Sequence, residues 1–137
     1  MKKILIAALT LITLTGCSLT QPIAVKGEVV SCADIKTIAS EGAVLDCLDG
    51  SQGVAVDSIV GPALINVWGT WCAPCRQELP HFAHYLAKQG SVQIIGIAVE
   101  EKNMAVVRKF VESNGMSWPI LYDADGSTRG KFGMGVP

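Results

Sequence analysis

The sequence predicts an α/β domain, and three observations carry that expectation. Short apolar runs, "PALINVW" (62–68), "SVQIIGIAV" (91–99) and "SWPILYD" (117–123), alternate with segments whose apolar residues recur at helical spacing. The order strand, helix, strand, helix, strand implies a sheet layer with right-handed crossovers. At 137 residues, 50% hydrophobic and 17% charged, the chain has room for one packed domain and is too apolar for a disordered tail. Formal charge is −1 with no basic stripe, which argues against nucleic acid as a partner.

Residues 1–17 read as a signal peptide. Lys2 and Lys3 form a positive start, Ile4 to Leu14 an apolar stretch, and Leu14-Thr15-Gly16-Cys17 a small-residue cleavage site. The stretch is too short to cross a bilayer core of about 30 Å permanently. "LTGC" resembles a lipobox, and by that resemblance Cys17 is the acylated first residue of a mature bacterial lipoprotein. An ordinary signal peptide with an incidental cysteine is the alternative. Losing Lys2 and Lys3 leaves nine basic against 12 acidic residues, so lipid and not basic charge would provide the tether. Residues 18–30 read as that tether and 31–137 as the domain.

Within the domain, "GAVLDCLDGSQGVAVDSIVG" (42–61) places two apolar runs around Asp49-Gly50 and Gly53, a hairpin pattern. The run 62–68 predicts a strand buried on both faces. From Cys72 the pattern turns helical, with Cys75, Leu79, Phe82 and Leu86 on one face. Pro80 lies inside this helix and Lys88-Gln89-Gly90 ends it. Residues 91–99 predict a second buried strand. Residues 102–113 predict a second helix with Met104, Val107 and Val111 inward, closed by Asn114-Gly115. Residues 117–123 predict a third strand, peripheral or bent because of Pro119. "DADG" (123–126) is a turn that lacks the ligands of a calcium loop.

The chemistry concentrates in "WGTWCAPCRQELP" (68–80). Cys72 falls at a helix N-terminus, where free N–H groups and the macrodipole favour a thiolate. Such positions lower a thiol pKa from about 8.5 to roughly 3.5–7.5. Cys75 lies one turn further along, within reach and expected to be more buried, so it can resolve a mixed disulfide. Pro74 stiffens the loop and Trp71 offers an apolar flank to the attacking sulfur. Two other readings compete. Cys72, Cys75, His81 and His84 have metal-ligand residue types, but one helix cannot wrap them around a tetrahedron, and the histidines read as solvent-facing. A purely structural bridge would close too small a loop to stabilise much. A reversible redox pair, with no metal and no organic cofactor, fits best.

"NVWGTWCAPCRQELP" resembles the active-site segment of the thioredoxin-like TlpA/ResA family of exported, often membrane-anchored thiol-disulfide oxidoreductases. "LDGSQGVAVDSIVGPALIN" is similar to that family's N-terminal hairpin, and "SWPILYDADGSTRGKFGMGVP" to the stretch leading to its cis-proline. The resemblance covers residues 42–137. It implies a thioredoxin-like fold, Cys72 as nucleophile, Cys75 as resolving thiol, and Pro137 as the cis-proline that receives substrate backbone, preceded by Val136. Asn66 occupies the place of thioredoxin's buried Asp and can hydrogen-bond but cannot act as a base. Glu100 or Glu101 is placed either to approach the dithiol or to serve as a solvated acid at the start of the second helix. Compared with the family pattern, two strands and a last helix are missing after Pro137, an expectation of truncation that leaves the third strand short of partners.

Cys32 and Cys47 remain. Bridged, they would staple the segment before the hairpin, worth about 3 kcal/mol in the chain-entropy model; a second redox pair relaying electrons to Cys72 is the alternative. The expected protein is a lipid-anchored oxidoreductase on the extracytoplasmic face of the membrane, in a compartment that permits disulfides. It would reduce envelope protein disulfides, as in cytochrome c maturation, with a membrane electron-donor thiol protein and the bilayer as partners. The rival readings are a non-catalytic partner- or metal-binding lipoprotein and a thiol peroxidase of related fold.

Overall fold

The computed structural model describes residues 25–88 and 90–133. Five strands form one sheet: β1 (Val44–Cys47), β2 (Val54–Ala55), β3 (Ala63–Trp68), β4 (Gln93–Val99) and β5 (Ile120–Asp123), in the order β2-β1-β5-β4-β3. Two helices, α1 (Ala73–Ala87) and α2 (Met104–Ser113), make the crossovers between the parallel strands β3, β4 and β5. β1 and β2 form the expected antiparallel hairpin, pairing Val44 with Ala55 and Leu45 with Val54. Gly50, at φ 85°, supplies the left-handed residue the turn region needs.

The sheet has a distinct core on each side. On one, Leu79 of α1 and Val107 and Val111 of α2 pack with Trp68, Trp118 and Ile120. On the other, Ile95, Ile97, Val99 and Leu121 pack with Leu45, Val54, Ile35 and the Cys32–Cys47 disulfide. β4 lies between β3 and β5, and Ile94 through Val99 are all buried, as its unbroken apolar run predicts.

Three expectations need correction. β5 is not peripheral: it lies between β4 and β1, pairing Ile120 with Gly96 on one side and Leu121 with Cys47 on the other. Pro119 precedes the strand, where its carbonyl accepts from Gly96 N at 2.8 Å and no donor is required of it. β3 is not buried on both faces. Among the described strands it is an edge strand, its outer residues are only partly covered, and Leu64 is 39% exposed. The end of the stretch read as a tether is docked: Gly27 N donates to Glu112 O at 2.8 Å, Glu28 N to Met116 O at 2.9 Å, and Val30 bridges Pro119. A Cβ at Gly27 would stand 2.5 Å from Met116 O, so only glycine lets the segment lie this close.

α2 is capped as its sequence implies. The Asn103 side chain accepts from Ala105 N at 2.8 Å, and Gly115, at φ 70°, follows the C-terminal Asn114. Met104 is half-buried while Val107 and Val111 are buried, so the helix faces inward along the predicted stripe.

Candidate active site

β3 delivers the chain to the C-terminal edge of the sheet at Trp68, and Gly69 to Cys72 make the turn into α1. Cys72 N donates to Gly69 O at 3.0 Å, closing the turn. Cys72 is the N-cap of α1, in extended conformation, and its Sγ accepts from Cys75 N at 3.3 Å. Arg76 N donates to Cys72 O at 3.2 Å, starting the helical ladder. Pro74 sits in the first turn, where a missing N–H leaves no bond unmade.

Cys72 and Cys75 form a disulfide with Cα atoms 5.3 Å apart. Both are half-buried, so the difference in burial expected between them is not marked. They differ in what lies beneath: Cys75 packs against the core cluster that contains Leu79, Trp68 and Trp118.

Trp71 is 49% exposed, and its Nε1 donates to Val99 O at 3.2 Å at the end of β4. The indole folds back over Gly69, where a Cβ would come within 2.5 Å of Trp71 Nε1. Asn66 is 5% exposed on β3, opposite Gly96 of β4, and its Oδ1 has no hydrogen-bond partner among the described residues.

The two acids after β4 part company. Glu100 is exposed, adopts a positive φ of 55° and pairs with Arg129 at 2.5 Å. Glu101 is 5% exposed, so the solvated role is wrong for it. Its carboxylate accepts from both the backbone N–H and the hydroxyl of Thr70, the latter at 3.0 Å, and its carbonyl accepts from the Tyr122 hydroxyl. Thr70 was missed by sequence reasoning: its partner lies 31 residues away, and no local pattern links them.

Cys32 and Cys47 form the second disulfide, Cα atoms 6.0 Å apart, 2% and 1% exposed. Among the described residues one group of three potential ligands lies close together, Cys32, Cys47 and Asp49, and both of its sulfurs are spent in that disulfide. His81 and His84 are exposed on α1. Cys17, Val136 and Pro137 lie outside the described residues.

Comparison with known proteins agrees with this geometry. Residues 1–18 match the prokaryotic membrane lipoprotein lipid attachment site, which makes the chain a lipid-anchored, extracytoplasmic protein. The thiol-disulfide oxidoreductase ResA of Geobacillus thermodenitrificans is 34% identical over 95 residues, covering 67% of this chain and 53% of that protein. The thiol:disulfide interchange protein DsbE of Pseudomonas aeruginosa is 44% identical over 66 residues, covering 48% of this chain and 36% of that one. The crystal structure of a secreted Mycobacterium tuberculosis disulfide oxidoreductase homologous to E. coli DsbE superposes with a TM-score of 0.57 at 26% identity, covering 66% of each chain. The chain spans about half the length, or less, of the curated relatives it matches. The ResA resemblance and the thioredoxin-like α/β fold are both borne out. With residues 38–137 matching its family model, the chain belongs to the AhpC/TSA family.

Proposed function

We propose that this chain is a thiol-disulfide oxidoreductase that exchanges dithiol for disulfide at Cys72 and Cys75, anchored through Cys17 on the outer face of the membrane. Its substrates in this reading are disulfides of envelope proteins, as in cytochrome c maturation, and a membrane thiol protein returns the electrons. One observation carries the reading: Cys72 caps α1 with its sulfur accepting the Cys75 N–H, half-exposed, beside its disulfide partner.

In the reduced enzyme the Cys72 thiolate takes the place its sulfur occupies in the disulfide. There the first-turn amides and the helix dipole stabilise negative charge. The thiolate attacks one sulfur of the substrate disulfide. That S–S bond breaks, a Cys72–substrate bond forms, and the departing sulfur leaves as a thiolate that takes a proton from solvent. Cys75 then loses its proton and attacks the Cys72 sulfur, releasing the second substrate thiolate. Two electrons have passed to the substrate and the Cys72–Cys75 disulfide remains. The donor dithiol reverses these steps to restore the enzyme.

Insulin reduction driven by dithiothreitol tests this. The 137-residue chain should accelerate it, Cys72→Ser should return it to background, and Cys75→Ser should trap a mixed disulfide visible by mass spectrometry. Absence of acceleration, together with a residue-72 thiol that titrates like free cysteine, removes the reading. Peroxide consumption that depends on Cys72, without insulin reduction, would establish the thiol peroxidase instead.

A further inference from the structure

The turn that presents Cys72 is short, and two side-chain links hold it to the end of β4. One is the Trp71 Nε1 to Val99 O bond at 3.2 Å. The other is Glu101. Its carboxylate is buried, one oxygen accepting from Thr70 N and the other from Thr70 Oγ1 at 3.0 Å. The residue is itself fixed, because its carbonyl accepts from the Tyr122 hydroxyl and the preceding Glu100 N donates to Asp123 O at 2.9 Å. The left-handed φ of 55° at Glu100 turns the chain here, and strain of this kind in a non-glycine residue persists only where surrounding contacts enforce it.

Resting on the oxidoreductase reading, we propose that Glu101 is a positioning residue for the Cys72 thiol, acting through Thr70. By gripping Thr70 at both backbone and hydroxyl, it fixes the turn two residues before the nucleophile. The sulfur is thereby held against the Cys75 N–H in the first turn of α1. A buried carboxylate serving one loop residue is costly unless its hydrogen bonds are made, and here both oxygens are used on the same residue.

Positioning and plain electrostatics predict opposite signs. If Glu101 mainly placed negative charge near the sulfur, removing it would ease ionisation of Cys72. If it positions the turn, removing it lets the sulfur drift from the helix amides, and ionisation becomes harder. The experiment is the pH profile of iodoacetamide alkylation of Cys72 in the reduced protein, with Tm measured alongside. Glu101→Ala should move the midpoint upward by about one pH unit, which slows alkylation near neutral pH roughly tenfold. Glu101→Gln retains an acceptor for Thr70 N and a donor for Thr70 Oγ1, and should restore the wild-type midpoint. Thr70→Val, which keeps the backbone donor, should give a smaller upward shift and Thr70→Ser none. A lower Tm with an unmoved midpoint in both Glu101→Ala and Thr70→Val would reduce Glu101 to a structural group and overturn the proposal, as would a downward shift. If Glu101→Ala does not fold, Thr70→Val and Glu101→Gln decide alone. A wild-type midpoint like that of free cysteine would instead sink the oxidoreductase reading itself.

Discussion

Cys72–Cys75 and Cys32–Cys47 are the same bond in opposite surroundings. The first is half-exposed at the mouth of α1, spans three residues of sequence and has a backbone N–H aimed at one sulfur. The second spans 15 residues, joins the segment before the hairpin to β1, and is 2% and 1% exposed. Its sulfurs lie within 4.8 Å of the Asp49 carboxylate, which repels an incoming thiolate. The Ser51 hydroxyl holds the Asp49 carboxyl below its ordinary range, so that charge persists in mildly acidic solution. Exchange needs an accessible sulfur and a stabilised leaving thiolate. One site offers both and the other neither. On the proposed reading, surroundings, not the bond, decide which disulfide exchanges and which holds.

The sharpest way to break this contrast is to let a reductant choose. With limiting dithiothreitol on the native protein, Cys72–Cys75 should open at least ~100-fold faster than Cys32–Cys47, since attack on a buried bond must wait for local opening. Alkylation followed by mass spectrometry of the peptides reads both rates at once. Equal rates, or reduction of Cys32–Cys47 that requires Cys72, would revive the electron relay in place of the staple.

Removing each bond sharpens the contrast from the stability side. Cys32→Ala/Cys47→Ala should cost about 3 kcal/mol, the loop-closure value for a 15-residue separation, while leaving the Cys72 alkylation midpoint in place. Cys72→Ser/Cys75→Ser should cost only about 1.6 kcal/mol in the same model, because so short a loop restrains the unfolded chain less. Urea unfolding of the two double variants under non-reducing conditions measures both. A reversed order would mean that the working disulfide is also the staple.

How much of this was legible in the sequence follows the same division between local and distant. The strand–turn–CxxC–helix unit was readable because each part is local: an apolar run, a capping cysteine, and Leu79, Phe82 and Leu86 at helical spacing. The hairpin and α2 were readable from turn and cap residues for the same reason. The place of β5 was not. Pro119 suggested an edge, but its carbonyl alone is engaged, and the hairpin that flanks β5 is distant in sequence. The docking of residues 27–30 left no trace either, since three backbone contacts and one glycine carry no periodicity. Neither did the grip of Glu101 on Thr70. Acids between a strand and a helix read as the helix start, and only the fold returns one of them to the turn before Cys72.

Asp123 offers the finest test, because it fixes the far end of the β5 strand that Cys47 joins through Leu121. Its side chain is buried, and burial alone would raise its pKa. Bonds from the Thr128 hydroxyl at 2.6 Å and backbone at 2.9 Å, with Ser127 adding two more at 3.0 Å, outweigh that and hold it below the ordinary 3.8. A carboxyl whose folded pKa is depressed stabilises the fold fully above its unfolded value and loses that contribution as pH falls through the folded one. Asp123→Asn should therefore cost about 2 kcal/mol at pH 7. The gap to wild type should narrow below the ordinary 3.8 and close in stronger acid, as the wild-type carboxyl takes up its proton. Tm measured for both proteins from pH 7 to pH 2 reads the convergence. Parallel curves would mean that the contribution comes from shape rather than charge. A shifted Cys72 alkylation midpoint in the same variant would mean that Asp123, whose carbonyl accepts from Glu100 N, also helps to hold Glu101 in place.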